Sequence, residues 1–241
     1  MNWNAYHRTT RTATYGFLSA LPLLLLYEVM ILAVNQGRIA QVRIGAEVWL
    51  KSLLTLVGGT GLLVLGLGVI VAGAFVFWYD RDRSIPLKSS YFLGLIAESA
   101  VYAVVVAFLV SGFVGAIFAM APAASPSGIW TELALSIGAG IYEELVFRVI
   151  LVGGLYALLR GVLANPAWAY PLAAVVGAAI FSGVHYIGPF GDVVTLVSFM
   201  FRFVFGLALN VLFLWRGFGV AAWTHALYDV MLVTGLFRLL G

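Results

Sequence analysis

Long apolar runs recur from one end of this 241-residue chain to the other, and they leave few folds open. A helix that rises 1.5 Å per residue needs about 20 apolar residues to cross a hydrocarbon core of about 30 Å. Inside that core every backbone polar group needs an internal partner, which favours helices. Composition agrees, since 63% of the residues are hydrophobic and only 10% are charged. The sequence therefore predicts an all-α, polytopic membrane helix bundle.

Seven transmembrane helices are expected in one integral-membrane domain, residues 1–241. The apolar runs lie at about residues 15–35, 61–78, 91–120, 131–160, 165–187, 192–215 and 219–240. The first run is too long for a signal peptide and contains Glu28, so we interpret it as a retained helix. Residues 47–56 mix Trp49 with Lys51, which is typical of an interfacial amphipathic helix.

The loop cations indicate which end of the bundle faces the cytoplasm. With the N-terminus inside, the inner segments hold seven cations and the outer segments hold four. The inner cations are Arg8, Arg11, Arg81, Arg83, Lys88, Arg160 and Arg216. We therefore expect a cytoplasmic N-terminus. The net charge of +3 is not clustered, so nucleic acid is not an expected partner. The chain has no cysteine, which excludes thiolate metal ligands and a cysteine nucleophile.

Two glutamates and an arginine stand out inside the fourth apolar run. Charges at this depth cost on the order of 3 kcal/mol each and usually mark function. Glu144 and Arg148 are four residues apart, so they share a helix face in the favourable acid-first order. Glu143 is rotated about 100° away from that face. We therefore expect Arg148 to neutralise Glu144 and to leave Glu143 for another role. A purely structural ion triad is the alternative.

Three further polar residues lie in later apolar runs. His185 is in the fifth, and His225 and Asp229 share a face of the seventh because they are four residues apart. Together with Glu143 they allow two hydrolytic chemistries. In the first, Glu143 is a general base that activates water with help from His185. His225, oriented by Asp229, then stabilises the oxyanion. In the second, Glu143, His185 and His225 bind a zinc ion that activates the water.

These residues form three motifs that occur in order on separate predicted helices. The motifs are Glu143-Glu144-xxx-Arg148, Phe181-xxx-His185 and His225-xxx-Asp229. They resemble the motifs of the CPBP family of intramembrane proteases, which includes Rce1-like CAAX prenyl endopeptidases and bacterial Abi proteins. The resemblance covers residues 131–241 and makes Glu144 and Arg148 a supporting pair. It also implies a prokaryotic cytoplasmic membrane as the location.

The resemblance implies a glutamate-type endopeptidase. Its substrate would be a membrane-associated protein or peptide, cut near its membrane-embedded or C-terminal part. By motif position, Glu143 and His185 would activate water, and His225 and Asp229 would form the oxyanion hole. Prenyl endopeptidases carry Asn in place of Asp229, which favours an orienting role for this residue and weakens the case for a prenylated substrate. We favour the version without a cofactor, because no further metal ligand is evident near Glu143.

Two other functions stay open. A catalytically silent bacteriocin-immunity or membrane scaffold protein would share the fold, although such a protein could lose motif residues and none is lost here. A proton-coupled transporter would also bury Glu, His and Arg, but it should show inverted repeats with broken helices. The sequence names no partner for Glu28, Glu98 or Arg202. For the peptidase, we expect Glu143, His185 and His225 to converge on one cavity among the helices.

Overall fold

The computed structural model describes residues 2–35, 45–46, 48, 61–117, 128–188 and 191–239, and every regular element within them is a helix. The helices are α1 Trp3–Thr10, α2 Ala13–Val34, α3 Gly61–Tyr79, α4 Ser89–Ile117, α5 Ile129–Val162, α6 Ala169–Val184, α7 Leu196–Arg216 and α8 Phe218–Val233. Short 3₁₀ turns precede α6 at Pro166–Trp168 and follow α8 at Leu236–Leu239. The interfacial helix predicted at residues 47–56 lies outside the described residues, apart from Val48.

Seven of these helices correspond to the predicted spans. α2, α4, α5, α6 and α7 are long and apolar enough to cross a membrane, and α3 and α8 are shorter apolar helices. The prediction of an all-α polytopic bundle is therefore confirmed. Several predicted helix ends are wrong. The last helix, predicted to end near residue 240, ends at Val233. α6 ends at Val184 because a turn follows in which Gly188 has a φ of +95°. α7 begins only at Leu196, where the Thr195 side chain accepts a hydrogen bond from the Ser198 N–H.

α8 lies at the centre of the bundle, where it contacts α2, α4, α5 and α7. A close approach between α5 and α8 depends on Gly140. A Cβ atom at this position would lie 2.6 Å from the carbonyl oxygen of Ala222 and 2.6 Å from the Cβ of Ala226. Only glycine fits without moving α8, so the two backbones touch a few residues from the paired glutamates.

The middle of α5, Ala139–Val152, has π-helical geometry, which the sequence analysis did not predict. At its end, the N–H of Gly153 donates to the carbonyl oxygen of Arg148, five residues earlier. π-helical segments are rare overall, but those that occur are often found at functional sites. This segment contains Glu143 and Glu144, so the charged stretch lies on an unusual backbone.

Polar side chains join several helix ends near the N-terminus. Asp80, which follows α3, accepts hydrogen bonds from the N–H and the hydroxyl of Thr14 at 2.8 and 2.9 Å. The Tyr15 hydroxyl donates to the carbonyl oxygen of Pro86 at 2.8 Å and accepts from the N–H of Lys88 at 2.9 Å. The starts of α2 and α4 and the end of α3 therefore lie at one end of the bundle, as alternating spans require.

A buried ion pair at this same end joins α4 to α7. Glu98 binds Arg216 through two contacts, Nε–Oε1 at 2.6 Å and Nη2–Oε2 at 2.7 Å. Tyr6 of α1 and Tyr102 of α4 each donate a hydroxyl to the same carboxylate at 2.7 Å. The expectation that Arg216 is a loop cation is wrong. Gly217, with a φ of +84°, turns the chain directly into α8 and leaves Arg216 buried as the last residue of α7.

We expect Glu98→Ala to destabilise the bundle strongly, because Arg216 would stay buried without its carboxylate partner. Removing one member of a buried ion pair costs about 3–5 kcal/mol of the free energy of unfolding. Thermal unfolding in detergent micelles measures this, and Asp82→Ala is the matched control because the Asp82 side chain is 88% exposed. Equal unfolding midpoints in the two variants would contradict a stabilising role for the pair.

Candidate active site

The predicted pairing of Glu144 with Arg148 is present in the structure. The Nη1 of Arg148 lies 3.0 Å from the Oε1 of Glu144, and both side chains are almost fully buried. The same guanidinium contacts the carbonyl oxygen of Gly206 on α7 at 3.5 Å and lies 4.5 Å from the centre of the Phe181 ring. Arg148 therefore links α5 to α6 and α7, and its charge is balanced locally by Glu144.

Glu144 has a second partner, which the sequence analysis missed. The Nδ1 of His225 lies 2.7 Å from the same Oε1 atom, and the Nε2 of His225 lies 3.3 Å from the Oδ2 of Asp229. Ionised carboxylates only accept hydrogen bonds, so a ring that donates to both from its two nitrogens would be an imidazolium. With Arg148, the four groups then carry two positive and two negative charges.

Glu143 faces a different residue. Its Oε2 lies 4.0 Å from the Nε2 of His185, which is the C-cap residue of α6. The Nδ1 of His185 lies 2.7 Å from the carbonyl oxygen of Phe181, so Nδ1 carries a proton and Nε2 is directed to Glu143. Glu143 and His185 are 14% and 25% exposed, whereas the Glu144–Arg148 pair is sealed. The accessible part of the site is therefore the Glu143–His185 pair.

Two aromatic rings pack against the histidines of the site. Phe181 packs edge-on against His185 and His225, with ring centres 4.9 and 6.4 Å away. Phe205 of α7 packs against His225 at 5.0 Å. Neither ring belongs to the site that the sequence predicts. Phe181 stood in a motif that could have indicated it, but no local pattern marks Phe205 in an apolar helix.

The six candidate residues come together in two connected halves. Glu143 meets His185, while Glu144, Arg148 and His225 form the buried half, with the partly exposed Asp229 at its edge. Glu143 approaches His185 as expected, but Glu144 rather than Glu143 makes the direct contact with His225, and the convergence of Glu143, His185 and His225 on one cavity stays a prediction.

The zinc alternative needs Glu143, His185 and His225 to aim three donor atoms at one point. Among the described residues, no group of three His, Cys, Asp or Glu side chains is arranged to hold a metal ion. Both nitrogens of His225 are directed at carboxylates, so neither offers a lone pair to a metal. The donor set as arranged does not fit zinc, and the absence of a cofactor stays a prediction.

All six candidate residues lie within a segment that matches a known family. The family model described as type II CAAX prenyl endopeptidase Rce1-like matches residues 125–231. This segment is therefore similar to Rce1-like endopeptidases, and the match covers less than half of the chain. No curated protein and no solved structure gave a significant match.

The Rce1-like match supports a CAAX-type intramembrane protease in general, and the apolar helices make the chain an integral membrane protein. A membrane-embedded protein substrate and a lipid bilayer are the partners this family implies. The match does not favour the silent immunity protein, the scaffold protein or the transporter. The mechanism, the substrate and the role of each candidate site residue stay predictions.

The two glutamates should respond differently to the same substitution. Glu144→Gln removes a charge that neutralises Arg148 and His225, so we expect a loss of about 3–5 kcal/mol in the free energy of unfolding. Glu143→Gln removes a charge from the more accessible pair and should change stability far less. Thermal unfolding of both variants in the same detergent measures the difference, and a greater loss in Glu143→Gln would contradict the division into two halves.

Proposed function

We propose that this protein is an intramembrane endopeptidase in which Glu143 and His185 activate a water molecule. The observation that carries the proposal is the 4.0 Å separation of Glu143 Oε2 and His185 Nε2 in the accessible half of the site. This distance is too long for a direct hydrogen bond. One water molecule placed at about 2.8 Å from each atom bridges it.

In the proposed reaction, Glu143 acts as the general base. It takes one proton from the bridging water, and the resulting hydroxide attacks the carbonyl carbon of the scissile peptide bond. When the tetrahedral intermediate collapses, the C–N bond breaks and Glu143 returns the proton to the leaving nitrogen. His185 keeps Nε2 towards the water because its Nδ1 is held by the carbonyl oxygen of Phe181.

His225 of the buried half supplies a hydrogen-bond donor for the oxyanion in this proposal. The Nε2–H of His225 is the donor best able to reach it, since its contact with Asp229 is 3.3 Å and the Asp229 side chain is 26% exposed. The shorter Nδ1 contact with Glu144 holds the ring in place. Asp229 then orients His225 rather than donating a hydrogen bond itself. A donor held in position before the reaction acts mainly on the transition state.

The proposed substrate is a membrane-associated protein that is cut near its membrane-embedded or C-terminal part, and the proposed location is a prokaryotic cytoplasmic membrane with the N-terminus inside. Comparative membrane proteomics of cells that express the wild type or Glu143→Ala tests this. C-terminal peptides that persist only in the variant identify substrates. Farnesylated and unmodified forms of one such peptide, compared in proteoliposomes, then show whether a lipid is needed.

We expect Glu143→Gln to abolish cleavage of an identified peptide in proteoliposomes while the protein stays folded, because the amide keeps the shape of the side chain but cannot take a proton. Removal of a general base typically costs about 10²–10⁴-fold in rate. Glu132→Gln is the matched control, since it changes another glutamate of α5 outside the site. Wild-type rates in Glu143→Gln would refute the assignment of the base.

If the reaction is metal-free, prolonged chelation of the purified protein should leave the cleavage rate unchanged. Elemental analysis of active protein should find less than stoichiometric zinc. The opposite result would be inactivation by the chelator, recovery with added zinc, and loss of bound zinc in His185→Ala and His225→Ala. That result would establish the ligand set of the zinc alternative.

A further inference from the structure

A polar cluster outside the three motifs holds the segment that carries His185. The cluster consists of Tyr186, Asp192, Ser198 and Arg202. His185 lies at the C-cap of α6, where the regular α-helix ends and the backbone continues in short turns. Its carbonyl oxygen accepts a hydrogen bond from the N–H of Asp192 at 2.9 Å. The orientation of His185 therefore depends on what holds Tyr186 and Asp192.

Arg202 of α7 binds both Tyr186 and Asp192. Its guanidinium forms an ion pair with the Asp192 carboxylate and donates to the Ser198 hydroxyl. It also donates to the Tyr186 hydroxyl at 3.1 Å and lies 5.4 Å from the centre of the Tyr186 ring. Tyr186 directly follows His185, so one side chain binds the residue next to the histidine and the residue that caps its carbonyl group.

The same helix contacts the buried half of the site. Phe205 packs against His225, and the carbonyl oxygen of Gly206 contacts Arg148. Phe205 and Gly206 follow Arg202 by three and four residues, which is about one helical turn. α7 thus connects the loop of His185 to the cluster around Glu144, and Arg202 is its connection to that loop.

We propose that Arg202 is a positioning residue that keeps His185 opposite Glu143, a role that rests on the proposed function of that pair. An arginine suits the role because its planar guanidinium presents five N–H groups in a fixed arrangement, which a lysine ammonium does not reproduce. The Arg202 and Asp192 side chains are 22% and 55% exposed. Such an accessible ion pair contributes little to global stability, so its main effect is local geometry.

A spectroscopic test does not need a substrate. The chain has three histidines, so protein labelled with ¹³C-histidine in lipid nanodiscs gives three imidazole signals, and His185→Gln assigns one of them. Glu143→Gln should shift the His185 signal in the wild-type background. In the Arg202→Met background the same change should shift it much less, because His185 no longer faces Glu143. Equal shifts in the two backgrounds would overturn the proposal, whether or not the protein cleaves peptides.

A kinetic test uses the peptide identified by proteomics. Arg202→Met should lower kcat by about tenfold to a hundredfold, the effect of a small misplacement of a reacting group, with KM within about twofold of the wild type. Arg202→Lys should restore only part of the rate. Asp192→Asn added to Arg202→Met should cause little further loss, because both act through one contact.

Arg81→Met is the matched control, since Arg81 is also an accessible arginine paired with an aspartate, Asp82, but it follows α3 at the other end of the bundle. Thermal midpoints of Arg202→Met and Arg81→Met should be similar. An unchanged kcat, or a loss of kcat accompanied by a matching loss of thermal stability, would contradict the positioning role. A raised KM with an unchanged kcat would also contradict it, because Arg202 would then bind substrate instead.

Discussion

The carboxylate of Glu144 holds both cations of the buried cluster. Arg148 reaches it from the same helix and His225 reaches it from α8, and both contact the same oxygen atom. A single charge in a low-dielectric interior is very unfavourable unless it is paired. Each of the three groups therefore depends on the other two. Because Glu144 and Arg148 come from α5 and His225 comes from α8, their pairing also fixes α5 against α8, and the geometry of the site follows from that contact.

Two glutamates that are adjacent in the sequence end in different surroundings. Glu144 is sealed among cations and helix backbone, whereas Glu143 points to the accessible side and faces His185. In the proposed mechanism the two environments have different tasks. A dry, charged framework keeps its dipoles in place when charge develops on the substrate. The more exposed Glu143–His185 pair can be reached by water, and Glu143 can then accept a proton from it.

The features that the sequence predicts correctly depend on residues that are close together in the chain. Apolar runs fix the spans because the bilayer sets their length, and four-residue spacing fixes Glu144 beside Arg148. The contact between Glu144 and His225 could not be predicted, since it joins residues 81 positions apart. Arg216 was misplaced for a related reason. An arginine before a glycine at the end of an apolar run looks like a loop residue, and only tertiary structure brings Glu98 to it.

The contact at Gly140 extends the site beyond its reacting atoms. Any side chain at this position would meet the backbone and Cβ atoms of α8 and hold the two helices apart. A displacement of that kind would widen the gap between Glu144 and His225, which share a 2.7 Å contact. In terms of mutational tolerance, this glycine should behave like an active-site residue although it has no functional group. A mutational survey restricted to residues with reactive side chains would not include Gly140.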